Sequence, residues 1–196
     1  RIDMGADVGQ DPVLCSISTR AVKEVARVPV WVELTPATAD IVEGAEASFY
    51  LLAHRLKGGS LPFSVEGFSV FVHGRGLSTA WAEATVRVRV GESLQHTAAE
   101  SPFGPVSALD RAFRKAVLQF YPELSEVELT DYKVRILSGQ EAGTNSGVRV
   151  MVEMKRGEER FATVGASENI LEASLKALTD GYAYALLYPV ATPRGA

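Results

Sequence analysis

One pattern occurs twice in this chain and constrains its fold more than anything else: three stretches of alternating apolar and polar residues, then one amphipathic helix. In the first round, residues 63–72, 79–90 and 94–100 alternate with the period of a half-buried strand. Residues 105–118 follow. Val106, Leu109, Phe113, Ala116 and Val117 fall at helical spacing on one side, with Asp110, Arg111, Arg114 and Lys115 on the other. Pro105 suits a first helical turn, where a missing N–H costs nothing. In the second round, residues 127–137, 148–154 and 159–165 alternate, and a helix follows over about 168–187. Val86-Arg87-Val88-Arg89-Val90 aligns with Val148-Arg149-Val150-Met151-Val152, and Thr97 to Ser101 aligns with Thr163 to Ser167. Leu109, Phe113 and Arg114 align with Leu171, Leu175 and Lys176. The expected fold is α+β, a tandem βββα pseudo-repeat with an N-terminal α/β segment. Each helix covers one sheet face and leaves the other to water or a partner, and the seam between halves has room for a small ligand.

Three units are expected: an α/β barrel-like fragment over 1–42, a linker helix over 43–60, and the duplicated unit over 61–190. Asp11-Pro12 reads as a helix start, Pro29 as its stop, and Val30-Trp31-Val32-Glu33-Leu34 as a short strand. Residues 45–56 read as a helix that ends before Gly58-Gly59, and His73-Gly74-Arg75-Gly76 reads as a turn. The 196 residues begin at Arg1 without a signal-peptide pattern, which suggests a piece of a longer protein.

A net charge of −4 and the lack of a basic run with interleaved aromatics argue against nucleic acid. No apolar run approaches a membrane span. Cys15 is alone, so no disulfide framework or thiolate metal site is expected, and the cytoplasm is the default compartment. His54, His73 and His96 are scattered, without the spacing of metal ligands, and His96 reads as a satisfied structural histidine. No set of residues reads as catalytic, and no metal or cofactor is expected in this chain.

The helix starts at Gly104-Pro105-Val106 and at Ser167, Asn169 and Ile170 read in two ways. Their free N–H groups suit a carboxylate, and the same residues serve as plain helix caps. Asp131 suits an ammonium or an exposed strand position, and Tyr132 suits a pocket wall or the core. Asp110 is placed to pair with Arg114 one turn on, a surface pair of small worth. The polar loop over 139–147, with Gly143 and Thr144, is long enough to fold over a ligand.

Two resemblances add to this. Met4-Gly5-Ala6, Val8-Gly9-Gln10-Asp11-Pro12, Val28-Pro29-Val30 and Leu34-Thr35-Pro36 resemble one helix–strand unit of the FMN barrel of dihydropyrimidine and dihydroorotate dehydrogenases. The resemblance implies a Lys before Leu-Thr-Pro and an Asn after it, at the flavin; here those positions hold Glu33 and Ala37. A fragment of an FMN-dependent oxidoreductase is the alternative reading of the chain. The second resemblance is longer. Ala45-Glu46-Ala47-Ser48-Phe49, His96-Thr97-Ala98-Ala99-Glu100, Gly104-Pro105-Val106, Asp131-Tyr132-Lys133-Val134-Arg135-Ile136-Leu137 and Thr163-Val164-Gly165-Ala166-Ser167-Glu168-Asn169 resemble the C-terminal regulatory region of citramalate and 2-isopropylmalate synthases. It implies a homodimer that binds a branched-chain amino acid, isoleucine or leucine, as feedback inhibitor. It also implies that the acetyl-CoA condensation belongs to a separate metal-dependent barrel. The effector residues it favours are Gly104, Pro105, Val106, Asp110, Asp131, Tyr132, Gly143, Thr144, Ser167, Asn169 and Ile170.

Overall fold

The computed structural model describes residues 44–75, 79–137 and 147–188. The N-terminal α/β segment, with Cys15, Glu33 and Ala37, and the loop residues Gly143 and Thr144 lie outside the described residues. Helix α1 spans Glu46–Leu56. Strands β1 (Ser64–Arg75), β2 (Thr79–Val90) and β3 (Ser93–Ser101) form an antiparallel sheet in that order, and helix α2 (Pro105–Val117) packs on it. A 3₁₀ turn over Pro122–Glu126 leads to the second unit. There β4 (Val127–Ile136), β5 (Val148–Arg156) and β6 (Glu159–Ser167) form another antiparallel sheet, covered by helix α3 (Ile170–Leu187). The described residues are thus a tandem βββα pair of the α+β class.

The two units share details that composition alone does not dictate. Val86 lies opposite Thr97, and Val152 lies opposite Thr163. A bulge interrupts β1 between Val65 and Gly67 and interrupts β4 between Leu129 and Asp131. The Thr97 hydroxyl donates to the Ala112 carbonyl at 2.6 Å, and Thr163 donates to Ala177 at 2.7 Å. The Ser101 hydroxyl accepts from the Phe103 N–H, and Ser167 accepts from Asn169. Burial repeats as well: Ala108, Leu109, Ala112, Phe113, Ala116 and Val117 match Ala173, Ser174, Ala177, Leu178, Gly181 and Tyr182.

These matches confirm the pairing of Thr97 with Thr163 and correct two others. Val86 is the counterpart of Val152 rather than Val148. Leu109, Phe113 and Arg114 answer Ser174, Leu178 and Thr179, three residues beyond the positions aligned by sequence. A slip of three leaves most of a helical stripe on the same face, so apolar spacing alone does not fix the register. The turn expected at His73 is also corrected. β1 runs through His73 to Arg75, and His73 stacks on its cross-strand partner Trp81 at 4.1 Å, which extends the ladder.

One hydrophobic cluster runs through both units. Phe63 meets Phe113 edge-on at 5.1 Å, and Phe113 stacks on Tyr182 at 5.4 Å. Helix α1 belongs to the same packing: it lies on α3 and β6, and its Ser48 hydroxyl accepts the Val164 N–H at 2.8 Å. That bond satisfies a backbone donor on the free edge of β6. Arg55 of α1 then pairs with the buried Asp180 of α3 at 2.8 Å.

The halves also share one polar contact in the seam. The Tyr182 hydroxyl donates to Asp110 Oδ1 at 2.6 Å and accepts from Arg114 Nη1 at 3.0 Å. Arg114 reaches on to the Val127 carbonyl at 2.8 Å and the Ser125 carbonyl at 3.4 Å. Asp110 is therefore not half of a surface pair with Arg114; the phenol of α3 takes its carboxylate. Burial pushes the Asp110 carboxyl above the usual carboxylate range, and the Tyr182 hydrogen bond and the Arg114 charge oppose that rise. Burial likewise pushes the Tyr182 hydroxyl up, so it remains a donor at every working pH.

At Gly165 an added Cβ would collide with the Ala173 carbonyl, and at Gly181 it would meet the end of Met154. Gly165→Ala should therefore lower stability by about 1–3 kcal/mol in a denaturant titration. Gly181→Ala should cost less, because a thioether moves where a helix carbonyl does not. Tyr182→Phe should cost about 1–3 kcal/mol, since it strips a donor from a buried carboxylate. The pH dependence follows from the raised Asp110 pKa. The folded state holds that proton more tightly, so its stabilisation is full below about pH 3.9 and fades as the pH rises through the folded value. Measured against Asp110→Asn, the parent chain should lose stability over that rise; a relative gain would contradict the burial argument.

Candidate functional site

The two helix starts that the sequence singles out differ in one respect. At α2, Gly104 occupies the cap position with φ 99°, a backbone conformation that disfavours any side chain. It supplies no side-chain cap, and Pro105 supplies no N–H. The Gly104 carbonyl accepts from Ala108 at 3.1 Å, which closes the first turn. Among the described hydrogen bonds, the N–H groups of Val106 and Ser107 have no acceptor. The Ser107 hydroxyl takes part in a 2.9 Å bond from Ser101 and is turned to the end of β3. Val106 is half-buried, and Phe103, just before the turn, is 80% exposed. Two free N–H groups at a positive helix end, beside apolar side chains, complement a carboxylate on a short apolar body.

At α3 the first of the corresponding donors is already used, while the Glu172 N–H, like that of Ser107, has no acceptor among the described hydrogen bonds. Asn169 Oδ1 accepts the Leu171 N–H at 2.9 Å. The Ser167 hydroxyl accepts from the Asn169 N–H and donates to Glu172 at 2.8 Å. Ser167 and Asn169 act as helix caps here, because an amide side chain stands where α2 has a glycine. Ile170 follows, 44% exposed.

Asp131 and Tyr132 come out on opposite faces of their sheet, as neighbours in a strand must. Tyr132 faces α3, and its hydroxyl shares a 2.7 Å bond with Ser174. Ser174 in turn bonds the Ile170 carbonyl, so Tyr132 braces the first turn of α3. Asp131 lies on the outer face with Lys133, which also pairs with Glu153 at 3.0 Å. The Lys133 ammonium and the Tyr132 N–H hold the Asp131 carboxyl below its usual range. One ligand on either face cannot use both residues. The candidate set thus falls into separate groups: Gly104 to Val106 at α2, Asp110 in the seam, and Tyr132 with Ser167 to Ile170 at α3.

Three residues of this geometry were not singled out by sequence. Phe103 is one, and its signal is an aromatic directly before a Gly-Pro helix start. Tyr182 is another, the one large ring on the buried face of a helix otherwise rich in Ala. The third is Ser174, the partner of Tyr132. His96, read as a satisfied structural histidine, is exposed on the outer face of β3 opposite Arg87 and makes no described hydrogen bond. Among the described residues, no group of three or more His, Cys, Asp and Glu is placed to hold a metal ion. No described helix is long and apolar enough to cross a membrane.

Beyond these points, each unit leaves part of its first strand uncovered on the helix side. Phe68 and Val72 of β1, and Val134 and Ile136 of β4, lie on the helix-facing side by register but stand past the reach of their helix. Val72 is 58% and Ile136 66% exposed, which leaves apolar surface open on the helix side of each sheet.

Comparison with known proteins agrees with this architecture. The chain is 44% identical over 187 residues to an (R)-citramalate synthase of Geobacter sulfurreducens, an alignment that takes in 91% of this chain and 35% of that protein. It is 48% identical over 152 residues to an (R)-citramalate synthase of Synechocystis sp., covering 74% of this chain and 27% of that one. This chain therefore spans about a third of the length of the curated relatives it matches, or less. A shorter likeness, 57% identity over 37 residues, links it to the catalytic subunit of dihydroorotate dehydrogenase B (NAD(+)) of Methanosarcina mazei, covering 19% of this chain and 12% of that protein. The sequence profile of the LeuA allosteric (dimerisation) domain matches residues 43–186, the whole of the duplicated unit with α1, and the chain belongs to that family.

Proposed function

We propose that this chain is the regulatory part of a citramalate synthase-type enzyme, one that pairs with a second copy and binds a branched-chain amino acid as end-product inhibitor. Isoleucine is the first candidate and leucine the second. In the parent enzyme, acetyl-CoA condenses with a 2-oxo acid in a separate barrel, and this region carries no catalytic residue and no cofactor. Its compartment on this reading is the cytoplasm. The observation that supports the effector site best is the uncapped start of α2, where the Val106 and Ser107 N–H groups stand beside Phe103. The effector carboxylate meets those donors, and its aliphatic chain lies against apolar side chains. The effector biases the parent enzyme only by the difference in its affinity for the active and inhibited arrangements. The exposed strips of β1 and β4 supply apolar surface for the second copy.

A second reading rests on the 37-residue likeness to a dihydroorotate dehydrogenase subunit. It makes the N-terminal part a piece of an FMN barrel, and purified protein that stays yellow would favour it.

Calorimetry with isoleucine, leucine and valine should give heat with at least one of them at millimolar concentration; silence with all three would overturn the effector claim. Val106→Asp should weaken that binding about tenfold or more, because a carboxylate in the first turn repels the ligand, and it should lower the melting temperature because Val106 packs against the core. Light scattering should give twice the chain mass, and a strict monomer would contradict the pairing.

A further inference from the structure

The internal twofold likeness also fails beside a cavity. In the second unit, Arg114 fills the seam: its guanidinium bonds the Ser125 and Val127 carbonyls and the Tyr182 hydroxyl. The bulge register makes Leu61 and Phe63 the counterparts of Ser125 and Val127, and the helix register makes Thr179 the counterpart of Arg114. Tyr182 has Val117 as its counterpart. Two large side chains are thus replaced by two small ones. At Thr179 lies a cleft of about 720 Å³ between the start of β1 and α3, lined by Leu61, Phe63 and Thr179 among others.

Its chemistry follows from the lack of a guanidinium at position 179, since the two arginines on the wall, Arg55 and Arg89, are paired with Asp180 and Glu66. No described side chain donates to the Leu61 or Phe63 carbonyl, the two acceptors whose counterparts hold Arg114. Glu172, also on the wall, engages only the Ser167 hydroxyl. Asp180 is committed to Arg55. On the same wall, Lys176 makes no described hydrogen bond or ion pair. We infer that this cleft is a binding site for a small guanidinium compound, seated on the Leu61 and Phe63 carbonyls as Arg114 is seated in the other unit, with Lys176 free to take a carboxylate on the same molecule. The planar, forked donor set of a guanidinium matches two neighbouring carbonyls better than an ammonium does. The site is separate from the start of α2 and does not depend on the effector proposal.

Titration of the chain with L-arginine and with agmatine, followed by amide NMR, tests this. Both ligands should shift the amides around residues 61–63 and 179. Arginine should bind about fivefold more tightly than agmatine, which lacks the carboxylate, and Lys176→Ala should erase that difference. Thr179→Arg supplies the guanidinium from within the chain. It should abolish the arginine-induced shifts while leaving the response to isoleucine or leucine unchanged. No shift around residues 61–63, or shifts that survive Thr179→Arg, would overturn the proposal. Should Thr179→Arg fail to fold, Lys176→Ala decides: a preference for arginine that persists in it refutes the site as drawn.

Discussion

The hydroxyl of Tyr182 is a polar group through which both halves of the domain are joined. A βββα unit has a single helix over a single sheet and cannot close a core of its own; the units stand because α2 and α3 meet. Phe113 and Tyr182 stack at that meeting, and the phenol must then satisfy its hydroxyl in a place without water. It does so between Asp110 and Arg114, both on α2. Arg114 extends the chain of bonds to the backbone that opens β4. A phenol on α3, two charged groups on α2 and the entry to the second sheet are thereby fixed relative to one another. Such a buried network is costly to break in part, because any group left alone keeps its desolvation cost without its partner.

The same duplication explains why the candidate site is asymmetric. Both helices begin after an equivalent strand end, with the same serine-to-amide bond in the turn. One ends the turn in glycine and the other in asparagine. That single difference leaves the Val106 N–H open at α2 and closes its counterpart, the Leu171 N–H, at α3. A duplicated fold offers two copies of each local geometry, and small changes set the two copies apart. The cleft by Thr179 follows the same logic, with an arginine present in one unit and absent from the other.

Much of this was legible in the sequence. Strand alternation and the stripe of α2 gave the elements and their order, because each buries one face only and the period shows it. The pairing of Thr97 with Thr163 was legible because polar residues on a buried strand face are rare enough to mark a register. The helix register was not legible, since Ala-rich stripes look alike after a slip of three. The place of Asp110 was hidden for another reason. Its local partner, Arg114, lies one turn away, while its true partner, Tyr182, lies far along the chain, and local spacing carries no trace of that contact. Asp131 and Tyr132 stand side by side in one run, yet strand geometry separates them. The difference between the two helix starts was available in the residues themselves: Gly104 has no side chain to cap with, and Asn169 has one.

The central claim is that the uncapped start of α2 receives the carboxylate of a small amino acid. The most direct measurement follows the backbone amides of the two helix starts by NMR while isoleucine or leucine is added. The account predicts large, saturable downfield shifts at Val106 and Ser107 and little change at Leu171, whose N–H is held by Asn169. Saturable shifts at Leu171 with none at Val106 and Ser107 would contradict it.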